Sequence, residues 1–174
     1  MPHHAEVRYK ADITAGALKV AESRIHEVCD RYGVDVLLEA VRIDLDRAEN
    51  RMRQCISGLP DGTYYYEDYL ETFPGGQLEP LLLPLTLTIA GDRMRADFTG
   101  ASPQVPVPVN STLAVSAASV FIAVKSIFDP EAPLNQGAFR PIEVVAPEGT
   151  IVNVTRRAPA GSHGEIRKRV VATM

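Results

Sequence analysis

The stretch LPLTLTIAGDRMRADF, Leu83 to Phe98, constrains this chain more tightly than any other part of it. Leu83, Leu85, Leu87 and Ile89 alternate with Pro84, Thr86 and Thr88, the period of two expected of a half-buried strand. Gly91-Asp92 supplies a tight turn, and Met94, Ala96 and Phe98 alternate with Arg93, Arg95 and Asp97 on the way back. An antiparallel hairpin is therefore expected here. Upstream, Pro60-Asp61-Gly62 signals a turn, and the aromatic run from Tyr64 to Tyr69 predicts a further strand with alternate rings buried. FPGGQ, after it, reads as a flexible loop.

Before residue 60 the period changes. Ile13, Ala17, Val20, Ile25, Val28 and Tyr32 keep to one helical face, and Gly33 ends that helix as a C′ residue. Asp35 caps a second helix with the stripe Leu38, Val41, Leu45, Ala48, Met52, Cys55 and Leu59, its intervening positions largely charged. Two such helices across a short link make an αα-hairpin over residues 1–59. In that hairpin Cys29 and Cys55 would stand roughly 25 Å apart at 1.5 Å rise per residue, too far for a disulfide. Both read as reduced, mostly buried thiols.

Downstream of the strands, Pro103, Pro106 and Pro108 each lack a ladder donor, so TGASPQVPVPVN crosses as an extended segment. A third helix follows, capped by Asn110 or Ser111 and ended by Asp129-Pro130. Leu113, Ala117, Val120, Phe121, Val124 and Phe128 lie along one side, and Ala114, Ser116, Ala118 and Ser119 leave a small-residue face open to close packing. FRPIEVVAPEGTIVNV predicts two short strands around Pro147-Glu148-Gly149. Ser162 with Glu165 three residues later is a capping box opening a last helix, although the sequence reaches only Met174. The expected fold is α+β: an N-terminal αα-hairpin, then a mainly antiparallel sheet with a packed helix over residues 60–174.

Composition narrows the function. A chain of 174 residues with 45% hydrophobic and 23% charged residues can build a real core. A net charge of −4 argues against nucleic acid as a partner, and the basic residues Arg156, Arg157, Arg167, Lys168 and Arg169 read as a solvated face. No signal peptide and no membrane span is read in the sequence; the apolar run Leu113 to Val124 is too short and carries two serines. Cytoplasm is the expected location. Ser162 beside His163 forms no triad, because neighbours in an extended chain point apart. His3, His4, His26 and His163 form no spaced metal pair, and no phosphate-cradling glycine motif occurs. No catalytic set is visible, and no metal ligand is assigned. Polar residues at strand-to-loop junctions remain as candidates for binding substrate: Asp97, Thr99, Asn110, Asn135 with its neighbour Gln136, and Arg140. Such residues also cap helices and close turns, and Arg140 could pair with Asp97 or Glu143, so both roles stay open.

GLPDGTYYYEDYLE, IAGDRMRADFTGASPQVPVPVN and DPEAPLNQGAFRPIEVVAPEGTIVNV, in that order and spacing, resemble the hydantoinase B / oxoprolinase B family. The likeness runs from about Lys10 to Val154. One local departure is Val107, near where the family usually carries a glycine. Family chains are several times longer, so the resemblance implies an incomplete part of a larger hydantoinase B-type fold. Met174 then reads as an interior junction. It also implies an ATP-dependent hydrolase of cyclic amides, or a related ketone carboxylase, working with a hydantoinase A-type partner that uses ATP and Mg. A divalent metal is implied for a family segment upstream of the position matching Ala11. No cofactor is expected on the present residues, and the isolated chain is expected to be inactive. A non-catalytic assembly module, homo- or hetero-oligomeric through its uncovered apolar faces, is the alternative.

Overall fold

The computed structural model describes residues 2–71, 79–131, 133–155, 158–161 and 164–174, with side chains from Ile13 onward. Helices α1 (Pro2–Tyr32) and α2 (Val34–Ser57) precede strands β1 (Gly62–Leu70), β2 (Leu81–Ala90) and β3 (Arg93–Asp97). Helix α3 (Leu113–Phe128), a 3₁₀ turn (Gln136–Phe139), strand β4 (Ile142–Val145) and helix α4 (Gly164–Thr173) complete the order. The fold is α+β, a helical pair followed by a four-stranded mixed sheet. FPGGQ, Arg156, Arg157, Ser162 and His163 lie outside the described residues, and with them the serine of the capping box.

Two compact units are present, Met1–Asp44 and Leu45–Met174. In the first, Gly33 joins α1 to α2 at φ +87°, its N–H bonded to the Cys29 carbonyl at 2.8 Å, as a C′ glycine should be. Most apolar side chains described in this unit stay open to solvent: Ile13, Leu18, Val20, Ile25, Val36, Leu38 and Val41 are all exposed. Both cysteines are free, and each is half-buried rather than mostly buried.

The second unit is built on the hairpin. The sheet order is β1-β2-β3-β4, with Ile89 opposite Met94 and Leu87 opposite Ala96, so one face carries Leu81, Leu83, Leu85, Ile89, Met94, Ala96 and Phe98. Gly91 turns the hairpin at φ +60°. Ala48, Met52 and Ile56 of α2, Val120 and Val124 of α3, and Ile166 and Val170 of α4 complete the same core. Each fully buried aliphatic contributes about 1.5–3 kcal/mol. On α3 the buried face is Ser116, Ser119, Val120, Ala123 and Val124, which takes up part of the small-residue side and leaves Leu113 exposed. Thr112, not Asn110 or Ser111, caps α3, its hydroxyl accepting from the Val115 N–H.

Two expectations about strands need correction, while the mainly antiparallel sheet stands, with two of its three pairings antiparallel. Tyr64, Tyr65, Tyr66 and Tyr69 all remain exposed, because β1 is an edge strand with a neighbour on one side only. Only one strand forms around Pro147-Glu148-Gly149; Thr150 instead makes isolated bridges to Pro103 and Asn153. That strand, β4, runs parallel to β3, Met94 opposite Ile142 and Asp97 opposite Val145, with α3 lying in the connection between them.

Candidate functional site

Asp97 and Thr99 form one small cluster on the sheet face opposite the core. The alternation that buries Met94 and Ala96 turns Arg95 and Asp97 outward together. The Thr99 N–H donates to Asp97 Oδ1 at 2.8 Å, a turn that ends β3. Arg95 Nη1 reaches Asp97 Oδ2 at 2.8 Å, and Arg95 Nε reaches Glu143 Oε2 at 3.3 Å. Burial pushes the Asp97 carboxyl up, but the Thr99 side-chain and backbone donors and the Arg95 guanidinium outweigh it and hold the carboxyl below its ordinary value. Sequence reasoning missed Arg95, although residues two apart on a strand share a face and that signal was present.

Arg140 sits at the other end of the β3–β4 pair. It precedes Ile142, which lies opposite Met94, whereas Asp97 lies opposite Val145. That puts at least about 10 Å of strand between Arg140 and Asp97. The predicted pairing of Arg140 with Asp97 or Glu143 is replaced by another. Its Nη1 donates to Asp46 Oδ1 and Glu49 Oε2, each at 3.0 Å. Glu49 also accepts from Arg53, which bonds Asp92 in the hairpin turn at 2.9 Å. The Arg53 and Arg140 guanidiniums hold the Glu49 carboxyl below its ordinary value. A shallow groove of about 440 Å³ runs past Thr88, Arg93, Arg95, Arg140 and Glu143. Of the five candidates, only Arg140 lines it.

Asn110 and Asn135 have local work. Asn110 is fully buried; its Oδ1 accepts from the Val105 N–H at 2.9 Å, and its Nδ2 donates to the carbonyls of Val105, Val107 and Pro159. It pins the proline segment, and a ligand would have to displace those bonds. Asn135 accepts from the Ala138 N–H and caps the 3₁₀ turn. The five residues therefore lie at four places, and only Asp97 and Thr99 are brought together. Among the described residues no three of His, Cys, Asp and Glu are grouped to hold a metal ion. No helix among the described residues is long and apolar enough to cross a membrane.

The described residues thus form a helical pair and a mixed sheet with α3 in the β3–β4 connection, and polar side chains stand at its strand-to-loop junctions. Comparison with known proteins places that fold. The profile of the Hydantoinase B/oxoprolinase family matches residues 2–174, and the chain belongs to that family. The putative B-type component of a D-/L-hydantoinase of Pseudomonas sp. (strain NS671) is 31% identical over 153 residues, 82% of this chain and 26% of its own. The beta chain of caprolactamase from Pseudomonas jessenii is 31% identical over 158 residues, 89% of this chain and 27% of its own. The crystal structure of ATP-dependent caprolactamase from that organism superposes with a TM-score of 0.80 at 29% identity, covering 91% of this chain and 27% of that one. A nucleotide-free acetone carboxylase shares the fold at TM-score 0.69 and 19% identity, over 80% of this chain and 20% of its own. The chain thus spans about a quarter of the length of these curated relatives.

Proposed function

We propose that these residues are a scaffold segment, or a split subunit, of an ATP-dependent cyclic-amide hydrolase of the hydantoinase B type, acting with an A-type partner that uses ATP. The observation that carries this reading is the match to caprolactamase over nine-tenths of the chain at 29% identity. The chemistry is coherent. An unactivated ring amide is a poor electrophile at neutral pH, and phosphorylation of its carbonyl oxygen by the partner supplies the activation. Mg accompanies ATP on that partner, and the divalent metal belongs to B-type polypeptide outside these residues. The present chain contributes sheet framework and subunit contacts, with Asp97, Thr99, Asn110, Asn135 and Arg140 as the positions to test for substrate contact.

The test is ATP-dependent ring opening of hydantoin, 5-oxoproline and caprolactam, with and without a purified A-type partner and the remaining B-type polypeptide. The chain alone is expected to show no turnover, and the full set is expected to show it. Turnover by the chain alone would overturn the proposal. A non-catalytic assembly module is the second reading, favoured by the exposed apolar residues of α1 and α2. It predicts that the full set opens no ring.

A further inference from the structure

The first three turns of α2 are apolar on two opposite sides. Val34, Leu38 and Val41 lie on the stripe that continues, at helical spacing, into Leu45, Ala48, Met52 and Ile56. From Ala48 onward that stripe is core; before Leu45 it is solvent, with Val34 at 55% and Leu38 at 62% exposure. Val36, Ala40 and Ile43 fall about 180° around the helix, at 100° per residue, and they too are uncovered. Asp35 and Glu39 flank this second side, and Glu39 spends its charge on Arg42 of the same helix.

We infer that residues 34–43 are an interior helix of the complete assembly, enclosed on both sides by B-type polypeptide lying outside these 174 residues. Two observations choose that occupant. A helix that leaves apolar side chains open on two opposite sides covers both only when it is enclosed between neighbours, and one copy of this chain docking on one side would leave the other bare. In addition, the matched caprolactamase chain carries nearly three-quarters of its length outside the region it shares with this one. The inference rests on the B-type segment reading proposed above, and one experiment separates the two.

The full chain is placed in the beta chain of Pseudomonas jessenii caprolactamase in exchange for the stretch it matches, and amide hydrogen exchange is followed by mass spectrometry. Residues 81–98 report whether the segment seats in the B-type fold, and residues 34–43 report enclosure. Expected is seating together with exchange at 34–43 about 100-fold slower than in the free chain. The double variant Leu38→Glu, Ile43→Glu should lose the protection at 34–43 and keep it at 81–98. Protection at 81–98 with none gained at 34–43 overturns the inference and leaves the functional reading standing. Loss of protection at both overturns both. Concentration-dependent protection of 34–43 in the free chain names a second copy as the occupant and also overturns it.

Discussion

Gly137 offers the sharpest test of the packing. It stands in the 3₁₀ turn where the chain passes the backbone of α2, and a Cβ there would lie 2.0 Å from the Leu45 carbonyl oxygen and 2.6 Å from its carbon. Ordinary contact begins near 3.4 Å, so in Gly137→Ala the two backbones must part by about 1.4 Å. No rotamer change can relieve this, because the obstacle is main chain. The shift would strain the Phe121–Phe139 stack, whose centroids are 4.3 Å apart, and draw Arg140 from Asp46 and Glu49. Overpacking costs about 1–3 kcal/mol in general, and a rigid neighbour puts this case near 3. With a urea m-value of about 2 kcal/mol/M, the midpoint should fall by roughly 1.5 M. Four of the six tyrosines lie on β1, so near-ultraviolet circular dichroism reports mainly on the unit Leu45–Met174. Gly164→Ala is the control: nothing lies within 4 Å of its Cβ, and the variant should be unchanged or about 0.5–1 kcal/mol more stable. A Gly137→Ala midpoint within about 0.3 M of the parent would refute the argument.

Two further outcomes are expected. Asn110→Asp keeps the acceptor for Val105 N–H but removes the donors to three carbonyls, so it should cost about 2–4 kcal/mol in the same urea assay; a loss below about 0.5 kcal/mol would contradict the pinning role. The Asp97 carboxyl titrates below its ordinary 3.8 in the folded chain, so its stabilisation is complete above that value and is lost as pH falls through the lower, folded one. Asp97→Asn should therefore flatten the acid limb of the stability–pH curve below about pH 4 and leave the slope at neutral pH unchanged; an unaltered acid limb counts against the Thr99 and Arg95 contacts.

The hairpin was legible because its information is local: alternation of Leu83 to Ile89 against Met94 to Phe98 assigns the buried face before any partner is known. Gly33 was legible for the same reason, since a helix stop needs only a residue at home at positive φ. The parallel seat of β4 was not, because β3 and β4 are joined through more than forty residues that carry α3. The exposure of the tyrosines followed from β1 being an edge, which is a property of the whole sheet order rather than of YYY. For the candidate site, sequence marked junction residues correctly as junctions. The Arg95–Asp97 pair was legible from their spacing of two on one strand, but nothing local showed that Asp46 and Glu49 of α2 would take Arg140, since that choice depends on tertiary neighbours.

The parallel pairing of β3 with β4 carries a kinetic consequence. The hairpin can zip from its own turn as soon as residue 98 leaves the ribosome, whereas β4 must wait until α3 has been made and docked. Throughout that interval the outer edge of β3 displays unclaimed amide and carbonyl groups, an invitation to foreign strands. Arg93 and Arg95 stand exposed on that short strand, and charge of this kind on an edge disfavours pairing with foreign strands.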